Sequence, residues 1–248
     1  MKRPPLVILH GWGLSGSRFE PLVRELEKRR FTVYAPDFPG FGKAYIPTRP
    51  WFLRDYVSFL DDYIKKHSVV RPILIGHSFG GRVALKYCER KPKNITAMVL
   101  SGTPGFTPIP KRKLLLFIVL AKVGRFIFSI PPINFFQDHV RKWYYYVVGA
   151  KEFFRAEGAM RETFKRIVQE DLVTSMEAIS IPTILIWGEL DIIVPLSIAE
   201  RMHRVIEGSQ LVVVADADHG APYKQPEIFA SYIEKFIAKL QTNGKVLG

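Results

Sequence analysis

Short apolar runs alternate with amphipathic stretches along most of this chain, and that alternation constrains the fold more than any other feature. The runs are "LVILHG" (6–11), "FTVYAPD" (31–37), "PILIGHS" (72–78), "ITAMVLSG" (95–102), "PTILIWG" (182–188) and "QLVVVADAD" (210–218). They are rich in β-branched residues and almost continuously hydrophobic, the pattern of strands covered on both faces. Helical periodicity fills 17–30, 51–66, 78–90, 197–207 and 226–240. Strand–helix–strand repetition of this kind predicts an α/β fold with a mostly parallel six-stranded sheet flanked by helices. With 248 residues, 48% of them hydrophobic, the chain is long enough for one large core.

The alternation breaks once. From about 105 to 180 no strand pattern appears, only helical segments rich in aromatic and basic residues, too long for an ordinary connection. The expected organisation is therefore a core of 1–104 and 181–248 with a helical cap insertion at 105–180. Within it, 111–136 ("KRKLLLFIVLAKVGRFIFSIPPINFF") is apolar with basic punctuation. Its uninterrupted part, 114–121, is far short of the roughly 20 residues that span a bilayer. Such a helix either lies on a membrane surface or turns its apolar face onto the site below. The second comes first here, because a cap must bury one face against the core.

The net charge is +13. Its bases are scattered, no nucleic-acid motif accompanies them, and a basic enzyme is the first reading. Weak association with an anionic membrane surface is the other use such charge could have. The single cysteine, Cys88, excludes an internal disulfide framework, suits a reducing compartment, and reads as a packing residue of the helix "ALKYCER". The amino-terminal apolar run ends at Leu9, too short for a signal core, so no targeting segment and a cytoplasmic location are expected.

The chemistry centres on Gly76-His77-Ser78-Phe79-Gly80, a G-x-S-x-G between a buried strand and a helix. A sharp strand-to-helix turn strains its middle residue and holds the hydroxyl out at the carboxyl edge of the sheet. The bland alternative is a glycine-rich turn whose serine caps the helix. A serine nucleophile needs a histidine base and an acid to orient it. Among six histidines, His67 and His203 read as solvent-facing, His139 lies in the insertion, His10 sits in the first loop, and His77 should point away from its neighbour. His219 follows the last strand and Asp191 follows the strand before it, and in a parallel sheet those carboxyl ends share one edge. Glu189, Asp216 and Asp218 compete as the acid. The stretch "SGTPG" after the fourth strand, another place for an acid, holds no carboxylate, so Asp191 is preferred. An oxyanion cradle requires two amides, expected from Phe79 and, in "HGWG", from Trp12.

Together, "LHGWGLSG", "APDFPGFG", "GHSFGG", "IWGELDIIVP" and "ADADHG" resemble the α/β-hydrolase fold family, over essentially the whole chain apart from the insertion. The resemblance is closest to small serine esterases with an HG-type oxyanion loop. It implies Ser78 as nucleophile, His219 as base, Asp191 as its partner, and the Trp12 and Phe79 amides as oxyanion donors. The chain begins at the family's usual third strand, and Lys43 stands where many relatives carry a small hydroxyl residue. The serine sets it apart from the dehalogenase and epoxide hydrolase branches, which use aspartate. The implied reaction is hydrolysis of hydrophobic small-molecule carboxylic esters, with no cofactor, no metal and no nucleic acid. Thioester, lactone or C–C bond cleavage would run on the same three residues, and a non-catalytic binding protein is the rival from another class.

Overall fold

A computed structural model describes residues 3–107 and 158–242. Its sheet has six strands: β1 (Leu6–Leu9), β2 (Val33–Tyr34), β3 (Ile73–His77), β4 (Ala97–Ser101), β5 (Thr183–Gly188) and β6 (Gln210–Val214). Their order is β2-β1-β3-β4-β5-β6, and every neighbouring pair is parallel rather than mostly so. Register runs Leu6 to Ile73, Ile73 to Ala97 and Ile184 to Gln210.

Alternate side chains of each central strand enter two separate cores. Val7, Leu9, Leu74, Met98, Leu100, Leu185 and Trp187 point to one face, and Leu6, Ile8, Ile73, Ile75, Val99, Ile184 and Ile186 to the other. This is the physical reason the strands read as unbroken apolar runs: with a period of two, both faces are covered. Helices α2 (Leu53–Lys66) and α3 (Phe79–Arg90) cover the first face, where Leu53, Tyr56, Leu60, Val83 and Tyr87 are buried. The second is covered by α1 (Glu20–Lys28) through Leu22 and Leu26.

Two expectations needed correction at the sheet edges. The "FTVYAPD" run pairs over only two residues, and β6, an edge strand, is covered only in part: Leu211 and Val212 are half-buried against the two cores, Val214 is buried and Val213 is 41% exposed.

Within 105–180, helices α4 (Gly158–Gln169) and α5 (Val173–Glu177) are formed. Both pack on the core, since Ile167, Leu172 and Met176 join the cluster that holds Val83 and Leu85. Arg82 of α3 is 2% exposed and sews this segment down. Its guanidinium donates to the carbonyls of Pro104, Ile167 (2.7 Å) and Glu170, so it binds the chain leaving β4 to the end of α4. Burial pulls the Arg82 pKa down to about 10, which leaves the side chain charged at neutral pH. The apolar helix expected at 111–136, His139 and the aromatic run 143–148 lie outside the described residues.

Three helices complete the layers: α6 (Leu196–Val205) beside β5 and β6, the short α7 (Ala221–Lys224), and α8 (Pro226–Thr242). Phe229, Ile233, Phe236, Ile237 and Leu240 of α8 fill the second core. Among the described residues no helix is long and apolar enough to cross a membrane.

Candidate functional site

The strand order locates the crevice before any side chain is considered. From β1 the chain moves outward to β2, then returns to lay β3 on the other side of β1. The loops leaving the carboxyl ends of β1 and β3 therefore diverge, and ligands of open α/β sheets bind at such a reversal.

Ser78 stands at that point, between β3 and α3, with φ 52° and ψ −115°. A non-glycine residue in the left-handed region costs of order 1–3 kcal/mol and persists only where the surroundings enforce it. The enforcement is steric. A Cβ at position 76 would lie 2.5 Å from the Gly81 Cα, and one at position 80 would overlap the Leu9 carbonyl. The Ser78 amide donates to the Ser101 carbonyl at 2.9 Å, tying the turn to β4. The amide of Phe79, first residue of α3, has no acceptor among the described residues, as expected of a helix start.

The loop after β1 runs directly against this turn. A Cβ at Gly11 would sit 3.3 Å from the Ser78 Cβ and 3.2 Å from the His77 ring. His10, fully buried, holds the loop: its Nε2 accepts from the Phe38 amide at 2.9 Å and its Nδ1–H donates to the Gly11 carbonyl at 2.8 Å. That pattern requires a neutral ring, and burial lowers the His10 pKa accordingly. Asp37 of "APDFPGFG" fastens the neighbouring turns, accepting from the amides of Gly16 (2.6 Å) and Lys43 (2.8 Å). The Trp12 amide is likewise without an acceptor among the described residues. Its ring packs on Phe41 (4.8 Å), Phe164 (5.0 Å) and Phe79 (5.4 Å).

On the opposite side, His219 Nδ1 and Asp191 Oδ2 are 2.8 Å apart. The other carboxylate oxygen of Asp191 accepts from the amides of Ile193 (2.9 Å) and Val194 (2.8 Å), so the buried carboxylate is fixed by three donors. Two of the three competing acids are engaged elsewhere, Asp218 with Lys224 and Glu189 with the Asp216 amide, and Asp216 is exposed. His67 and His203 are exposed.

No hydrogen bond joins Ser78 to His219 among the described residues. Such bonds are often long in unliganded sites and tighten with substrate. The two residues nevertheless converge on shared neighbours. Gly102, at φ +55°, follows the Ser101 carbonyl that holds Ser78, and a Cβ there would lie 2.6 Å from His219 Cε1 and 3.4 Å from Asp191 Oδ2. The His77 ring, adjoining Ser78, lies 4.7 Å from the His219 ring.

Sequence reading did not anticipate Gly102, and its only trace there is a glycine directly after a strand. Nor did it anticipate the burial of His77. That side chain is 1% exposed, and neither ring nitrogen has a hydrogen-bond partner. Burial, then the nearby His219, holds its pKa well below the ordinary histidine value; the adjacent Ser101 carbonyl offsets part of this without closing a hydrogen bond. A neutral, enclosed ring is unsuited to serve as the base. Cys88 is also buried, which pushes its thiol up to about 11 and removes it as a nucleophile. Among the described residues no group of three or more His, Cys, Asp or Glu side chains is placed to hold a metal ion.

Known proteins share this architecture. AB hydrolase superfamily protein YisY of Bacillus subtilis is 30% identical over 94% of this chain and 91% of its own length. A pimeloyl-[acyl-carrier protein] methyl ester esterase of Wigglesworthia glossinidia brevipalpis is 26% identical, with 94% of this chain and 93% of that protein covered. Among solved structures, a thermophilic esterase from Thermogutta terrifontis superposes with a TM-score of 0.70 at 23% identity, over 96% of this chain and 90% of that one. The alpha/beta hydrolase family model matches residues 6–232, which include all six strands and all but the latter part of α8, and the chain belongs to that family.

Proposed function

We propose that the protein hydrolyses carboxylic esters of apolar acids through an acyl-enzyme intermediate. His219 Nε2 takes the Ser78 proton as Oγ attacks the ester carbonyl. The oxyanion that forms is received by the Trp12 and Phe79 amides, each worth about 3–4 kcal/mol of barrier. Collapse of the intermediate expels the alcohol, which takes the proton from His219. Water, deprotonated by the same imidazole, then attacks the acyl-enzyme, and Ser78 leaves with that proton. Asp191 holds Nδ1–H so that Nε2 carries the lone pair, and it stabilises the imidazolium.

The observation carrying this reading is the 2.8 Å Asp191–His219 pair at the sheet edge where Ser78 is held at positive φ. The preference for apolar acids rests on the Trp12, Phe41, Phe79 and Phe164 rings beside the proposed oxyanion amides. In this reading 105–180 is a cap segment on a core of 1–104 and 181–248. The methyl ester esterase among the relatives also supports an ester as substrate.

A series of p-nitrophenyl esters from two to twelve carbons tests it. Turnover is expected, improving beyond the shortest acids and abolished in Ser78→Ala with the thermal midpoint kept. Folded protein without turnover at any length refutes ester hydrolysis, and turnover surviving in Ser78→Ala refutes the nucleophile. Thioester, lactone and vinylogous diketone substrates run in parallel separate the other reactions open to the same residues.

A further inference from the structure

Helices α2, α3 and α4 border a cleft of about 430 Å3 whose charge is strongly one-sided. It is lined by Phe52, just before α2, by Arg54 of α2, by Lys86 and Arg90 of α3, and by Arg166 and Glu170 on and just beyond α4. The spacings explain the convergence. Residues 86 and 90 are four apart on α3, which places them on a single face, while Arg166 in the last turn of α4 and Glu170 just past its end face them.

The cleft thus gathers four cations against one carboxylate, and the acids within reach are already engaged. Lys86 contacts Glu170 at 3.4 Å and Glu89 at 2.9 Å. Glu89 also faces Arg90 but accepts from the Ser175 hydroxyl, and Glu162, which faces Arg166, is held by Lys165 at 2.5 Å. The guanidiniums of Arg54 and Arg166 are both drawn onto the Phe52 ring, at 4.8 and 4.4 Å from its centroid. One Arg166 nitrogen donates to the Pro50 carbonyl. None of the three arginines forms an ion pair with a carboxylate among the described residues.

Three guanidiniums without carboxylates, two of them positioned by one aromatic ring, make a site for an anion with several oxygens. Guanidinium forks match phosphate in geometry, whereas a lone ammonium offers only a point charge. We propose that this cleft binds a phosphoryl group, with Arg54, Arg90 and Arg166 as donors and Lys86 as a supporting charge. The site is distinct from the crevice at Ser78. Position 90 lies twelve residues further along α3, about 18 Å at 1.5 Å per residue. It does not rest on the hydrolase reading. A phosphoryl group could be offered by a soluble phosphate compound or by a lipid headgroup, and the two sources are separable by experiment.

The test is calorimetric titration of the full chain with inorganic pyrophosphate at low ionic strength, where screening is weak. It is paired with sedimentation on phosphatidylcholine vesicles with and without phosphatidylglycerol. Saturable binding is expected from at least one source. The double variant Arg54→Gln/Arg90→Gln should weaken it at least tenfold while leaving the circular dichroism and the ligand-free thermal midpoint unchanged. A control, Lys66→Gln/Lys93→Gln, removes the same net charge from exposed positions outside the cleft and should leave binding within twofold. Pyrophosphate binding without vesicle binding makes a soluble phosphate the source; vesicle binding lost in the double variant makes it the headgroup. Either supports the site. No saturable binding from either source overturns it. So does equal weakening by the two double variants, which would mark diffuse attraction to a basic surface.

Discussion

Replacing Asp191 by asparagine is the most exacting test of the proposed base, because the structure dictates which way the new amide must face. Asp191 Oδ1 accepts two backbone amides, from Ile193 and Val194, while Oδ2 meets His219 Nδ1. Asparagine has one acceptor oxygen and one donor nitrogen. If the oxygen turned to His219, the NH2 would confront two N–H donors, losing two buried hydrogen bonds at about 1–3 kcal/mol each. A penalty of about 2–6 kcal/mol leaves the turned-round form at a few per cent or less. The NH2 therefore faces Nδ1, which must accept, and the imidazole proton moves to Nε2. A ring protonated there cannot take the proton of Ser78.

The same inversion in serine hydrolases costs about 10^4 in kcat. We expect a loss of about 10^3–10^4 in kcat/KM on the best p-nitrophenyl ester at pH 7.5, equivalent to about 4–5.5 kcal/mol. Fluorophosphonate labelling of Ser78 should slow in parallel. Stability should change little, since both amide donors keep their acceptor; losing one charge-assisted bond of about 1–2 kcal/mol lowers Tm by a few degrees in a chain of this size. Retention of more than about a tenth of wild-type kcat/KM would show that something other than Asp191 orients the imidazole, and the mechanism would fall.

Gly102→Ala places a Cβ 2.6–2.7 Å from His219 Cε1 and Nδ1 at φ +55°, so the ring must move. We expect about a hundredfold loss of kcat/KM, consistent with a displacement of about 1 Å, and loss of the downfield Nδ1–H proton resonance; an unchanged resonance would refute the steric argument. His10 and His77 are buried with pKa values below the unfolded value of about 6.5. The unfolded chain therefore binds protons first, and stability complete above pH 6.5 declines below it, by up to about 1.4 kcal/mol per pH unit for each ring. Urea midpoints at pH 7.5, 6.5 and 5.5 should fall less steeply in His77→Phe than in wild type, and parallel slopes would contradict the assignment. Arg82→Met strands the Pro104, Ile167 and Glu170 carbonyls; at about 1–3 kcal/mol for each buried orphan, urea denaturation should show a loss of at least 3 kcal/mol. A loss below 1 kcal/mol would mean that water reaches those carbonyls.

What was legible in the sequence depended on local periodicity. β1, β3, β4 and β5 announce themselves because both faces of each are covered, so Leu6 to Leu9 or Ile184 to Trp187 read as apolar without interruption. The positions of Ser78, Asp191 and His219 followed from one rule, that the carboxyl ends of parallel strands share an edge. Features that depend on chain-distant neighbours stayed hidden. Arg82 sits in a helical pattern that suggests nothing of its burial, because its partners are main-chain carbonyls from positions 104, 167 and 170. Backbone atoms carry no sequence signature. Gly102 was passed over for the same reason: the ring it makes room for is more than a hundred residues away. His77 was expected to point away from Ser78 and to be a poor base; what stayed hidden was its burial and the 4.7 Å approach of the His219 ring, which comes from a loop far along the chain.

The glycines of "GHSFGG" and the core beneath them answer a single requirement. Holding Ser78 at positive φ is unfavourable, so the turn persists only if every relaxed alternative is worse. Gly80 lets α3 start against the Leu9 carbonyl, and Gly76 lets the next turn of the helix close over β3. With those contacts formed, rotating Ser78 back would drag the start of α3 off the sheet. It would take with it Phe79, 3% exposed and packed on Trp12, Phe38 and Tyr56. Breaking that packing would expose a large aromatic side chain, at a cost of about 1.5–3 kcal/mol before any cavity is counted, which matches or exceeds the strain itself. The aromatic cluster beside the crevice therefore has two consequences. It holds the Ser78 backbone at positive φ, and in the proposed reaction it would also line the place where an apolar acyl group rests.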